Sequence, residues 1–185
     1  MLIKTLNEQF KEQITEWANY TGMPQVDHLI DMINSEFEEL IYAIRQNDEV
    51  EQFDAIIDII YLSLQLYVHT RDHHNAAVNV EGTLKSLVKM NNSGEFCYSE
   101  EDILLGLEAV HASNMSKFCK TEEEAIETVD RYVVGGRVVT YEKVNDLYVV
   151  KDDQGKVRKA VNYKPPTDDL RKILIDTGVI DNDVS

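Results

Sequence analysis

The chain has 185 residues, 43% of them hydrophobic, with only 3 Pro and 8 Gly, which suits one globular domain with a core of its own and a small appendage. Its formal charge of −16, from 34 acids against 18 bases, excludes wrapping the phosphates of a nucleic acid over a broad surface, because that mode needs a basic face. Two classes stay open: an anionic ligand held through a metal ion, and an acidic decoy for a DNA-binding protein.

The N-terminal MLIKTLNEQFKEQITEW lacks the basic-then-apolar order of a secretion signal, and no stretch offers about 18 uninterrupted apolar residues for a membrane span, so a cytoplasmic location is expected. Cys97 and Cys119 are the only cysteines, and no CxxC occurs. Neither a disulfide framework nor a Cys-based zinc site is indicated.

From residue 1 to about 134, apolar residues return at three- and four-residue spacing, as in Ile30, Ile33, Phe37, Leu40, Ile41 and Ile44. This predicts helices near 2–20, 26–46, 48–71, 79–90, 99–118 and 121–133, broken at Gly22-Met23-Pro24, Gln46-Asn47-Asp48 and Asn91-Asn92-Ser93-Gly94. Ser99, with Asp102 three residues on and an apolar run behind it, has the form of a capped helix start. After Gly135-Gly136 the pattern becomes β-like at 137–141, 146–150 and 156–159, with Asp153-Gln154-Gly155 as a hairpin turn, and a segment from Pro165-Pro166 to Ile175 closes the chain. The expected fold is mainly α: an α-helical domain over 1–134, with 135–185 as a small β-hairpin appendage and closing segment of the same globule.

The segment 51–61, EQFDAIIDIIY, sets Glu51, Asp54 and Asp58 in a strongly apolar helix, although burying an unpaired carboxylate is costly. At about 100° per residue, Glu51, Asp54, Asp58, Tyr61 and Gln65 fall within roughly 80° of arc, while Ile56, Ile57, Ile60 and Leu64 point elsewhere. On the preceding helix Glu36 and Glu39 are three apart and therefore neighbours. Two helices joined by a few residues lie antiparallel, which would bring this ExxE opposite the ExxD. Clustered carboxylates need a counter-charge, and an oxygen-only donor set favours Mg2+, or Mn2+, over softer metals. Such a cation would neutralise a polyphosphate and activate water. Either motif alone is more often a solvated face; their adjacency, and the isoleucines around Asp58, favour a site.

The remaining candidates are weaker. His69 and His73 are four apart but have no evident third ligand, and the surrounding residues read as a polar helix end. Glu108 and His111 form half of a di-iron motif whose second half is missing. Phe10, Trp17 and Tyr20 read as core or oligomer contacts before a base-stacking platform.

Glu36-x-x-Glu39 followed by Glu51-x-x-Asp54 resembles the signature of the all-α nucleoside triphosphate pyrophosphohydrolases, the MazG-like superfamily, and EQFDAIIDIIY is similar to the corresponding segment of its members. Val110-His-Ala-Ser-Asn-Met-Ser-Lys117, Gly155-Lys-Val-Arg-Lys159 and Tyr163-Lys-Pro-Pro-Thr-Asp-Asp-Leu170 resemble the HxSNMSK, GKVxK and YxPPxxL-like blocks of a phage and bacterial subgroup. The resemblance implies a helical, dimeric or tetrameric, Mg2+-dependent enzyme that cleaves a nucleoside triphosphate to the monophosphate and pyrophosphate. It assigns Glu36, Glu39, Glu51 and Asp54 as metal ligands, with Asp58 a supporting acid or ligand, and Asn114, Lys117, Lys156, Lys159 and Tyr61 to the substrate. A deoxynucleoside triphosphate, and a role in nucleotide-pool control, suit a phage-type member, which would work in the host cytoplasm; no nucleic acid or membrane partner is expected. Many relatives carry a Glu immediately before the ExxE, proposed to activate the attacking water, where this chain has Ser35; Glu38, Glu39 or a metal-bound hydroxide could serve as base instead. A non-catalytic DNA mimic and a di-iron oxidase are the alternatives.

Overall fold

Two residues, Asn47 and Asp48, turn one long helix back along the next. The computed structural model describes residues 2–22, 24–70 and 98–181, and within them six helices and one two-stranded sheet. These are α1 (Leu2–Thr21), α2 (Val26–Gln46), α3 (Glu49–Thr70), α4 (Glu100–Met115), α5 (Glu122–Val134), β1 (Val139–Val144), β2 (Leu147–Asp152) and α6 (Thr167–Asp176). The mainly helical class with a small C-terminal hairpin is therefore the one expected. The helix anticipated at 79–90, its break at 91–94, Cys97, His73 and the side chain of His69 lie outside the described residues. No helix among the described residues is long and apolar enough to cross a membrane.

The chain divides into two units, the first made of Met1–Thr15, Met23–Val110 and Pro166–Ser185, the second of Glu16–Gly22 and His111–Pro165. Helix α5 thus groups with the hairpin rather than with the helices that precede it.

In the first unit α2 ends on Asn47, whose left-handed backbone (φ 54°) lets its N–H reach the carbonyls of Ala43 and Ile44. Asn tolerates that conformation better than most residues. Asp48 then caps α3, its Oδ1 accepting from the Glu51 N–H at 3.1 Å. Helix α3 is buried on every side: Val50, Phe53, Ala55, Ile56, Ile57, Ile59, Ile60, Tyr61, Ser63, Leu64, Gln65 and Leu66 are all buried. A helix apolar all round belongs inside a core, and the first unit provides one. Phe10 and Ile14 of α1, Leu40 of α2, Ile103 and Leu107 of α4 and Leu170 and Leu174 of α6 complete the cluster. Gly106 marks the closest approach, since a Cβ there would stand 2.8 Å from the Ile57 side chain and 2.9 Å from the Phe53 ring.

Helix α4 opens with the anticipated capping box: Asp102 N–H donates to Ser99 Oγ (3.1 Å), and Ser99 N–H donates to Asp102 Oδ2 (2.6 Å). Ser99→Ala should therefore cost about 1 kcal/mol of stability, read from the midpoint of urea unfolding. The helix stops at Met115, three residues earlier than its periodicity suggests. Ser116, Lys117 and Phe118 tighten into a turn, their N–H groups reaching Ser113, Asn114 and Met115 carbonyls, which frees Cys119 to pair with Tyr148.

In the second unit Thr121 caps α5 by accepting from the Glu124 N–H. Strands β1 and β2 pair antiparallel from Val139↔Asp152 to Val144↔Leu147 around Asn145 (φ 54°) and Asp146, so the tight turn falls there and both strands run longer than expected. The third strand expected at 156–159 does not form. What remains is an isolated Lys151↔Val157 bridge, flanked by the Asp152 N–H to Lys156 carbonyl and Arg158 N–H to Val150 carbonyl bonds, because the Asp152 carboxylate gathers the Gln154 and Lys156 N–H groups and the Arg158 guanidinium into a closed turn. Cys119, Ala125, Val139, Val150 and Ala160 form this unit's core.

Candidate active site

The helical hairpin of the first unit carries an open cavity of about 570 Å3, lined by Ser35, Glu38, Glu39, Tyr42, Ala43 and Gln46 of α2, Asp48 of the turn and Glu51 of α3. That is within the range of small-molecule sites. Acids from both signature motifs meet on it: Glu39 from the ExxE and Glu51 from the ExxD, with Glu38 beside them. Ser35, the residue immediately before the ExxE, lies one helical turn from both Glu38 and Glu39 on the same wall.

The other expected ligands are placed differently. Glu36, Asp54 and Asp58 are half-buried, line no part of this cavity, and are each engaged with neighbouring groups. Among the described residues no three His, Cys, Asp or Glu side chains stand close enough together to hold a metal ion. The reason is rotational. Glu36 points within about 40° of Leu40, toward the buried face of α2, whereas Glu38 and Glu39 lie on its outer flank. On α3 the stripe that begins in water at Glu51 sinks along its length, until Tyr61 is 1% and Gln65 4% exposed. Tyr61 accordingly stands in the core and not on the cavity wall.

The cavity's donors are carboxylate oxygens with no nitrogen or sulfur ligand among them, a set whose chemistry fits a hard divalent cation. Asp48 has one oxygen committed to its helix cap and keeps the other for a ligand, beside the carboxylates of Glu38, Glu39 and Glu51.

The second unit holds the remaining expected substrate residues. The Lys117 ammonium donates to Asn114 Oδ1 at 2.5 Å and sits 5.5 Å from the centre of the Trp17 ring, which stacks on Phe118. Ser113 Oγ donates to the Tyr163 hydroxyl at 3.2 Å, Lys164 N–H donates to Ser116 Oγ at 3.0 Å, and the Lys159 ammonium lies 4.4 Å over the Tyr163 ring. The 110–117 and 163–170 blocks, far apart in sequence, are thus joined. The sequence names Asn114, Lys117 and Lys159 individually, while the bond between Ser113 and Tyr163 that joins the two blocks exists only in the fold. Lys156 is exposed, its N–H held by Asp152.

Ionisation in this unit follows local contacts. Burial holds the His111 imidazole below its ordinary pKa against the pull of the Glu16 carboxylate 3.7 Å away. Burial would raise Asp152, but the Lys156 N–H and the Arg158 guanidinium outweigh it and the carboxyl sits low. Burial pushes the Cys119 thiol up. Glu108 is exposed while His111 is buried against Glu16, so the ExxH pair does not face one site.

Charge is divided unequally. Residues assigned to the first unit include 24 acids and 8 bases, those of the second 10 of each, so the whole net charge of −16 belongs to the first.

The helical hairpin of this mainly helical chain thus presents carboxylates from two acidic motifs on one cavity. A family model described as phosphoribosyl-ATP pyrophosphohydrolase, an all-α family of the MazG-like kind, matches residues 2–78. The match contains every residue of the acidic cavity and ends before the second unit's 111–165 segment. No curated protein and no solved structure gave a significant match.

Proposed function

We propose that the chain is a Mg2+-dependent nucleoside triphosphate pyrophosphohydrolase that cleaves the α–β phosphoanhydride to give the monophosphate and pyrophosphate, with a deoxynucleoside triphosphate as substrate. The observation that carries this reading is the meeting of Glu38, Glu39 and Glu51 on one cavity inside the segment that matches a pyrophosphohydrolase family. Glu39 and Glu51 would hold the cation from the cavity, and Glu36, Asp54 and Asp58 would support them from the interface of α2 and α3. A bound Mg2+ supplies charge neutralisation of the triphosphate and a more acidic water. Glu38, one turn from Ser35 on the cavity wall, would take the proton of the attacking water, the task that Ser35 cannot perform.

A DNA mimic would spread acids over its whole surface, whereas here the net charge falls on one unit. Pyrophosphate release should be assayed with eight ribo- and deoxynucleoside triphosphates and with phosphoribosyl-ATP. Turnover should appear with Mg2+, vanish on chelation and return when the metal is restored. Absence of turnover with all nine would refute the proposal. Turnover of phosphoribosyl-ATP alone would correct the substrate.

A further inference from the structure

Tyr42 is an aromatic residue in an unusual place. It is 67% exposed, although α2 has a core face on which other large side chains are buried, and it lies on the wall of the acidic cavity. Its ring is thus a large, flat face open to the space of the cavity. Beside it Ala43, 3% exposed, offers a methyl where a larger side chain would fill the cavity, and Gln46 continues the same wall one turn on. With a rise of about 1.5 Å per residue, Tyr42 stands about 4.5 Å along the helix axis from Glu39.

The cavity therefore has two chemistries side by side: carboxylates that suit a cation and its phosphates, and a flat apolar ring with open space over it. Phosphates gain nothing from that ring. A nucleobase does, because every base has a π-face and stacking on Tyr is tolerant of which base it is. We propose that Tyr42 is the surface on which the substrate's nucleobase stacks, so that α2 would serve the phosphate end through a cation held by Glu39 and the base through Tyr42. This rests on the reading of the cavity as the triphosphate site, and it makes the base a determinant of affinity rather than of the chemical step.

Calorimetric titration in Mg2+ should compare the wild type, Tyr42→Ala and Tyr42→Phe, using the non-hydrolysable α,β-methylene analogues of the eight nucleoside triphosphates, and inorganic tripolyphosphate as a ligand without a base. Tyr42→Ala should weaken the nucleotide analogues about 10-fold or more, Tyr42→Phe should retain their affinity, and tripolyphosphate should bind all three proteins alike. Equal nucleotide affinity in wild type and Tyr42→Ala overturns the assignment, as does a parallel loss of tripolyphosphate, which would mean that Tyr42 shapes the cavity rather than meeting the base. Failure of the wild type to bind any analogue overturns it too. Pyrophosphate release by the same wild-type preparation separates the two readings: tight, Tyr42-dependent binding without turnover supports the base site and rejects the hydrolase, while turnover with Tyr42-independent binding does the reverse.

Discussion

Replacing Glu39 with Gln should lower the rate of pyrophosphate release by about 100- to 1,000-fold while leaving the fold intact. Glu39 lines the cavity together with Glu38 and Glu51 and is exposed there, so the substitution removes a charge and the proposed metal donor without opening a hole in the core. Exposed substitutions of this kind shift stability by no more than about 0.5 kcal/mol, so a large loss of activity would be a loss of chemistry. Glu108→Gln, equally exposed but outside the cavity, should keep full activity and serves as the control. Glu38→Gln separates the roles of the two neighbours. If Glu38 is the base, its removal lowers kcat with little change in the Mg2+ concentration needed for half-activity, whereas Glu39→Gln raises that concentration. Unchanged turnover in Glu39→Gln would remove the cavity from the mechanism.

The second large effect concerns stability. Phe53 is fully buried in the middle of α3, its ring 4.8 Å from that of Tyr98 and against the helix at Gly106. Phe53→Ala deletes most of an aromatic side chain where three segments of the first unit converge. The expected cost is about 3–5 kcal/mol, or a fall in Tm of roughly 10 °C for a chain of this size. Urea unfolding followed by circular dichroism reads it directly, and a loss below about 1 kcal/mol would mean that the α3 core is less tightly packed than described.

Much of this was legible in the sequence, for identifiable reasons. Helix ends were readable because their signals are local: Asn47 in the left-handed region after α2, and the reciprocal bonds of Ser99 and Asp102 at α4. The strand at 156–159 was not, since its β-like composition is overruled by Asp152, which gathers Lys156 and Arg158 into a turn. For the acids, spacing alone put Glu36, Glu39, Glu51, Asp54 and Asp58 in one stripe per helix. What spacing could not give was the rotation of α2 against α3, which turns Glu36 toward the buried face and brings Glu38 onto the cavity wall with Glu39 and Glu51. Tyr42 and Gln46 escaped notice for a related reason: an exposed aromatic on a helix carries no signal until the cavity beside it is seen. The joining of Ser113 to Tyr163 depends on residues 50 apart and has no local signature.

The central claim is that the cavity supports hydrolysis between the α and β phosphates of a nucleoside triphosphate. Phosphorus NMR of the preferred triphosphate, incubated with the protein and Mg2+, tests it in one experiment, because each cleavage position leaves a different set of products. The signals of a nucleoside monophosphate and of pyrophosphate should grow together in equal amounts. Orthophosphate and a nucleoside diphosphate, or an unchanged spectrum, would contradict it.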